Sequence, residues 1–233
     1  MNRKNKILIS LTCVFVLVEL QLSYLIQTTY PPNTYQYFSV ILAGLFCILF
    51  AEKSKFYIFT QIALIFTVFA DCFLVHLVSS DKLVAMLCFS VTQIAYFLRI
   101  FFEDENIKRR KIHLILRASL CLTVIACTFV VLGKKTDSLV LVSMFYYTNL
   151  LLNIIFALIN PKKSWIFVLG LICFIICDTF IGLANMMAYI DLSNYPFFHK
   201  LLNPGFDPAW AFYVPSQTLL AISLLPNKIK KRV

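Results

Sequence analysis

The sequence predicts an all-α fold: a polytopic bundle of eight transmembrane helices with both termini in the cytoplasm. Two observations lead to this prediction. Of the 233 residues, 61% are hydrophobic and 14% are charged, whereas soluble globular domains average about 45–50% apolar and about 25% charged residues. The apolar residues also form runs of about 18 or more, the length that crosses a bilayer as a helix, with short polar segments between them.

The first predicted helix covers residues 7–27 and follows a basic segment that contains Arg3, Lys4 and Lys6. A basic segment before an apolar run is also typical of a signal peptide. This run is long enough to span a bilayer, and no pattern of small residues suited to cleavage follows it. We therefore interpret the run as a transmembrane helix.

The next three predicted helices cover residues 35–51, 56–78 and 82–102. Pro31 and Pro32 form a turn before the first of them. Polar and charged residues separate the others, and the segment 103–111 is the most highly charged loop.

The last four predicted helices cover residues 112–132, 138–159, 165–190 and 209–225. Gly133 and Pro161, each next to two lysines, mark the ends of the first two. Loops of a few residues force neighbouring helices to pack antiparallel. We therefore expect residues 1–233 to form a single transmembrane domain.

The positions of the basic residues support the number of helices. When the N-terminus is placed in the cytoplasm, most of the 21 Lys and Arg residues fall on the cytoplasmic side. The residues that fall on the outer side are Lys82, Lys134, Lys135 and Lys200. A wrong number of spans would mix the two groups, so the positive-inside rule favours eight. The net charge of +10 therefore marks the cytoplasmic side of a membrane, and we expect no nucleic-acid partner. We expect this membrane to be the cell (plasma) membrane, and an internal eukaryotic membrane would give a similar charge pattern.

The eight cysteines and three histidines do not form a metal-binding pattern. The cysteines lie within apolar runs, and no Cys-x-x-Cys motif occurs. We interpret them as small apolar residues in helix packing. The sequence predicts no metal site and no cofactor.

Two aspartates lie deep within predicted helices in a shared pattern, Asp-x-Phe followed by Leu or Ile. They are Asp71 in the third helix and Asp178 in the seventh, and these helices run in the same direction. A carboxylate within a span costs at least ~2.5 kcal/mol on insertion scales. No Lys or Arg falls at the predicted depth of the two, so we expect at least one to hold its proton at neutral pH. The pair is a candidate for catalysis, for ion or proton binding, or for a polar contact between helices.

Other polar residues fall near the same depth, and they should face the bundle interior because lipid cannot satisfy them. The residues expected to line a ligand site around the two aspartates are Gln93, Tyr96, Asn149, Asn185, Tyr213 and Gln217. Gly170 and Gly182 on the seventh helix either leave room for a ligand or let another helix pack closely. The repeated Asp-x-Phe in helices 3 and 7 also allows an organisation in two parallel four-helix repeats.

Four short motifs on these helices resemble the YhhN-like lysoplasmalogenase family of eight-helix membrane proteins. The motifs are Ala70 to Leu74 on helix 3, Phe89 to Tyr96 on helix 4, Gly170 to Asp178 on helix 7 and Tyr213 to Gln217 on helix 8. They occur in the family's order and on the corresponding helices. The chain differs from the family at Gln93, where the family has His, and at Ala70 and Cys177, where the family has Gly and Ser.

The resemblance implies a hydrolase that cleaves the vinyl ether bond of lysoplasmalogen, releasing a fatty aldehyde and a glycerophospho-alcohol. A vinyl ether is cleaved by protonation of an alkene carbon and addition of water, which requires an acid and a base. Two carboxyls in unequal environments supply these roles in glycosidases. Asp71 and Asp178 are therefore the predicted catalytic residues, in either order, and the predicted partners are a lysophospholipid substrate and the lipid bilayer.

Two other functions would use the same residues. A carrier or sensor without enzymatic activity would bind a proton or a ligand at the two aspartates. A membrane scaffold would use its buried polar residues only to hold helices together. Pro215 is the one candidate for a broken helix, a common feature of transporters. The sequence leaves the oligomeric state and the lysolipid headgroup open.

Overall fold

The computed structural model of the protein describes residues 3–75, 81–160, 164–186 and 205–226. All regular structure in these ranges is helical. The helices are α1 (Arg3–Thr28), α2 (Asn33–Phe50), α3 (Tyr57–Leu74), α4 (Lys82–Glu103), α5 (Ile107–Leu132), α6 (Ser138–Ile159), α7 (Trp165–Met186) and α8 (Pro208–Ile222), with a short 3-10 helix at Gly133–Lys135.

Seven of the described helices, α1 to α7, are long and apolar enough to cross a membrane. The eighth, α8, has 15 residues and continues through Pro215. The structure thus confirms the prediction of a polytopic helical bundle. The cytoplasmic placement of the termini stays a prediction, as does the single domain.

The largest difference from the predicted bounds is at the start of α5, which begins at Ile107 instead of residue 112. Asn106 caps this helix, since its side-chain oxygen accepts hydrogen bonds from the backbone N–H groups of Lys108 (3.0 Å) and Arg109 (3.2 Å). Much of the segment expected to be a charged loop therefore forms the first turn of α5. The predicted ends of helices 3 and 7 lie outside the described residues.

The helices pack in two corresponding sets. In one set α1 contacts α2, α2 contacts α3, and α3 packs along α4; in the other α5 contacts α6, α6 contacts α7, and α7 packs along α8. The sets meet where α4 contacts α6 and where α1 and α2 contact α8. The α2–α8 contact corresponds to the α4–α6 contact, whereas the α1–α8 contact has no counterpart of similar extent between α5 and α4 among the described residues. Two parallel four-helix repeats would produce this arrangement.

Close packing of α7 against α8 depends on Gly170. A Cβ at this position would lie 2.8 Å from Cγ of Leu220 and 3.2 Å from its backbone nitrogen. The Ser216 hydroxyl donates a hydrogen bond to the Gly170 carbonyl (2.8 Å). Of the two roles expected for the glycines, helix packing therefore applies to Gly170. At Gly182, by contrast, no described atom lies within 4 Å of a Cβ position.

A buried arginine joins four helices at one end of the bundle. Arg99 of α4 donates hydrogen bonds to Thr60 of α3 (2.9 Å) and to Ser223 after α8 (3.2 Å). It also forms an ion pair with Glu103 (3.3 Å) and lies 3.9 Å from the ring centre of Phe167 in α7. Because a carboxylate and neutral acceptors surround the guanidinium, this charge is compensated within the protein.

Candidate functional site

Asp71 lies on the buried face of α3, where Ala63, Thr67 and Ala70 also face the interior at helical spacing. Its side chain is 1% exposed. One carboxyl oxygen, Oδ2, accepts a hydrogen bond from the Tyr213 hydroxyl of α8 at 2.6 Å. The structure therefore places a carboxyl group in the bundle interior with a phenol from a distant helix as its partner.

Asp178 lies at the edge of the buried face of α7, next to the fully buried Phe174 and Cys177. It is half-buried. Its Oδ2 accepts a hydrogen bond from the Tyr146 hydroxyl of α6. Each of the two aspartates is thus held by one tyrosine, but their environments differ in exposure.

The two carboxyl groups are close enough to interact electrostatically, and Tyr146 and Tyr213 are within electrostatic range of each other. We refer to Asp71 and Asp178 as the aspartate pair. The Cys177 side chain is within electrostatic range of both carboxyl groups of the pair. The structure therefore brings together the two acids that the sequence placed at similar depth on separate helices.

Two phenylalanines hold the tyrosines in place. Phe174 packs against the Tyr213 ring with 5.6 Å between ring centres, and Phe89 packs against Tyr146 at 5.7 Å. The two phenylalanines are in edge contact with each other at 6.1 Å. Both are 4% exposed or less, so the orientation of each phenol depends on a packed aromatic contact.

Gln93, Tyr96 and Gln217 are fully buried, and several of their polar atoms have no hydrogen-bond partner within the described ranges. These atoms are Nε2 of Gln93, the Tyr96 hydroxyl oxygen, and both Nε2 and Oε1 of Gln217. Buried polar atoms in folded proteins nearly always have a partner, in the protein or in ordered water. These three side chains therefore have hydrogen-bonding capacity left for water or a ligand.

Asn149 belongs to a different set of contacts. Its Oδ1 accepts a hydrogen bond from Arg117 of α5, and its Nδ2 donates to the Phe145 carbonyl at 2.7 Å. We refer to Arg117 together with its neighbours His113, Asn149 and Asn153 as the Arg117 cluster. No Lys or Arg was expected at the depth of the two aspartates, but at Asn149 the long Arg117 side chain reaches a predicted site residue from α5.

Asn185 does not join these contacts in the part of the chain that the structure describes. Its side chain is exposed and donates a hydrogen bond to the Ile181 carbonyl of its own helix (2.8 Å). The last turns of α7 are mostly exposed from Ile181 onward. The structure therefore places the Asn185 side chain apart from the aspartate pair, although Asn185 and Asp178 both lie on α7.

Tyr146 and Arg117 were not selected as site residues from the sequence. The sequence feature that could have identified Tyr146 is its polar side chain in the middle of an apolar helix. Arg117 carried no such signal, because its position alone is consistent with the charged end of a span. Among the described residues, no group of three or more His, Cys, Asp or Glu side chains could hold a metal ion.

Where α4 connects to α5, the Arg109 guanidinium donates hydrogen bonds to Asp104, which lies between the two helices, with Nη2 at 2.5 Å from Oδ1. This contact lowers the pKa of the Asp104 carboxyl below its ordinary value. The pair joins the segment after α4 to the first turn of α5.

Comparison with protein families identified one match. The YhhN family matches residues 34–224, a range that includes both aspartates and the residues of the four motifs. Searches of curated proteins and of solved structures found no match.

Proposed function

Because the chain belongs to the YhhN family, we propose that it is a membrane-embedded hydrolase for the vinyl ether bond of lysoplasmalogen-type lysolipids. The observation that carries this proposal is the aspartate pair. Two carboxyl groups lie within electrostatic range of each other inside an apolar bundle, and each accepts a hydrogen bond from a buried tyrosine. Such groups are rare in membrane spans and are a functional-site hypothesis by default.

The reaction requires one proton donor and one proton acceptor. In the first step a carboxylic acid protonates the alkene carbon that is not bonded to oxygen, which leaves an oxocarbenium ion. Water then adds to the carbon bonded to oxygen while a carboxylate takes up the water proton. The resulting hemiacetal transfers its hydroxyl proton to the departing oxygen and yields the fatty aldehyde and the glycerophospho-alcohol.

The difference in exposure between the two aspartates supports a division of these roles. Asp178 is the less enclosed of the two carboxyl groups, and we assign it to the activation of water. Asp71, which is enclosed and held by Tyr213, is assigned to protonation of the alkene carbon. The resulting positive charge would form next to two carboxyl groups, which favours the transition state electrostatically.

The free hydrogen-bonding atoms of Gln93, Tyr96 and Gln217 are suited to positioning water and the glycerol hydroxyl. A glutamine amide donates and accepts hydrogen bonds but does not exchange a proton at neutral pH. In this chain Gln93 stands where the family has His, so proton transfer rests on the two carboxyls. The Gln93 amide can still position water or the glycerol hydroxyl through its hydrogen bonds.

The proposal is tested by aldehyde release from purified protein in micelles. The substrates are a lysoplasmalogen and, as a control, a lysolipid with an ester in place of the vinyl ether. The variants are Asp71→Asn, Asp178→Asn and the matched control Glu19→Gln, which changes a buried carboxyl bonded to Ser39 instead of a member of the pair. Each variant is first checked for folding by its thermal unfolding curve.

We expect aldehyde from the vinyl ether alone, a loss of at least about 100-fold in each aspartate variant, and activity near that of the parent in the control. No aldehyde from the folded parent would refute the hydrolase and leave the carrier or sensor that uses the same two acids. Full activity in both folded aspartate variants would refute the mechanism.

A further inference from the structure

The helix α5 has an unusual buried face. It contacts mainly α6 and the short 3-10 helix that follows it, and most of its apolar side chains are exposed. The residues that it buries are His113, Arg117, Cys121 and Thr128. A helix in a membrane normally turns polar side chains inward only where they find partners or line a polar path.

Arg117 is the charged member of this face, and it is 9% exposed. Its Nη1 donates a hydrogen bond to Asn149, its Nη2 donates to Asn153 at 2.7 Å, and Nη2 lies 2.9 Å from Nε2 of His113. The guanidinium carbon lies 4.3 Å from the ring centre of Phe97 in α4. The contacts hold the guanidinium in one orientation between α4, α5 and α6.

These partners leave the charge of Arg117 uncompensated. All of them are neutral amides, an imidazole or an aromatic ring, and no carboxylate in the described ranges forms an ion pair with Arg117. Its Nε is buried without an acceptor. Arg99, the other deeply buried arginine in the part of the chain that the structure describes, differs in having Glu103 as its counter-ion. A buried, oriented guanidinium with a free N–H group is suited to an anion, and phosphate oxygens match its geometry well.

The Arg117 cluster is connected to the aspartate pair through α6. Asn149, which bonds Arg117, lies three residues after Tyr146, which bonds Asp178. Side chains with this spacing are neighbours on one helix, with about 5–6 Å between their Cβ atoms. In a lysoplasmalogen the three glycerol carbons separate the phosphate from the vinyl ether oxygen. A phosphate at Arg117 would therefore leave the ether about one helical turn away, on the side of the aspartates.

We propose that Arg117 is the binding residue for the phosphate group of the lysolipid substrate, and that Asn149 and Asn153 orient it for this contact. The proposal rests on the proposed function and adds a specificity to it. The protein distinguishes a phosphate-bearing vinyl ether lipid from the corresponding neutral alkenylglycerol. A purely structural Arg117 would join α5 to α6 without any preference between these lipids.

The test measures binding and does not depend on turnover. The ligands are a lysolipid with a saturated 1-alkyl ether, which cannot be cleaved by this chemistry, the matching 1-alkylglycerol without phosphate, and inorganic phosphate. Affinity is measured by native mass spectrometry of the full chain in micelles. The variants are Arg117→Gln and Arg117→Lys, with Arg109→Gln as the matched control that removes a charge from the first turn of the same helix.

We expect the parent to bind the phosphate-bearing analogue at least about tenfold more tightly than the neutral one, as for a charge-assisted hydrogen bond. Arg117→Gln should lose this preference while keeping its affinity for the alkylglycerol, Arg117→Lys should keep part of it, and Arg109→Gln should behave as the parent does. In assays of aldehyde release, Arg117→Gln should raise the KM for lysoplasmalogen more than it lowers kcat.

Equal affinity of the parent for the two lipids would overturn the proposal, and this result requires no variant to fold. A folded Arg117→Gln protein with the full preference would also overturn it. Binding of inorganic phosphate at Arg117 without binding of the phosphate-bearing lipid would show a site for a free anion and would overturn the lipid assignment. None of these results refutes the hydrolase, whose own test is aldehyde release from the vinyl ether.

Discussion

The Tyr213 hydroxyl donates a 2.6 Å hydrogen bond to Asp71 across 142 positions of the sequence. The two residues belong to α8 and α3, which otherwise touch little. The bond therefore sets the position of one acid of the pair by contact with a distant part of the chain. Four residues further along α8, Gln217 also faces the interior, with unpartnered polar atoms among the described residues.

Replacement of Tyr213 by phenylalanine should lower aldehyde release by at least about tenfold and the free energy of unfolding by about 1–3 kcal/mol, because a buried carboxyl loses its partner. Steady-state kinetics and thermal unfolding in micelles measure the two effects. Tyr147→Phe is the matched control, since that hydroxyl meets Thr179 at an exposed position (2.9 Å). Equal effects of the two changes would contradict a specific role for Tyr213.

The assignment of acid and base is tested by chemical rescue. Asp178→Ala should regain activity when formate is added at neutral pH, because the formate ion accepts a proton as the missing carboxylate did. Asp71→Ala should not, because the formate ion has no proton to donate. Aldehyde release is followed against formate concentration, with chloride at equal ionic strength as the control. Rescue of Asp71→Ala alone would reverse the assignment.

Alanine at Gly170 should destabilise the protein by about 1–3 kcal/mol, because its Cβ would overlap Leu220 of α8. Alanine at Gly182 should be neutral or stabilise the helix by up to about 1 kcal/mol, since a methyl group there meets open space among the described residues and Ala favours helices. Unfolding of the two variants under the same conditions compares them directly. Gly182→Ala as the more damaging change would contradict the packing of α7 on α8.

The Asp104–Arg109 pair should give the protein a pH-dependent contribution to stability. Because the pKa of Asp104 is lowered in the folded protein, its contribution is present at neutral pH and is lost as the pH falls below about 4 towards the folded pKa. At pH 7 the free energy of unfolding of Asp104→Asn should therefore be lower than that of the parent, by less than about 1 kcal/mol. The difference should shrink on acidification, measured by unfolding from pH 7 to pH 3. A difference in stability between parent and variant that stays constant from pH 7 to pH 3 would contradict the ion pair.

The predicted orientation of the chain is tested by reporter fusions. Fusions at Lys134 and Lys162 should report opposite sides of the membrane, because α6 crosses between them. The lysine-rich N-terminal segment and the first turn of α5 should face the cytoplasm. The same side for both fusions would refute the predicted topology.

Much of the candidate site could be predicted from the sequence. Asp71 and Asp178 were recognisable because a carboxyl in an apolar run is costly, and their shared depth followed from counting residues along the helices. Tyr213 was recognisable by its polar group in the same zone. Asn185 met the same criteria, yet its side chain is exposed and bonds to its own helix. Depth does not determine the direction in which a side chain points around the helix axis.

The amino-acid sequence was enough to identify a bundle of membrane-spanning helices, because the tendency of a segment to span a bilayer depends on its own length and composition. Which polar groups meet became visible only in the packed bundle. Tyr146 pairs with Asp178, and Arg117 reaches Asn149 from another helix. These contacts depend on the rotation and spacing of helices and on the reach of long side chains, which are set by packing between distant segments.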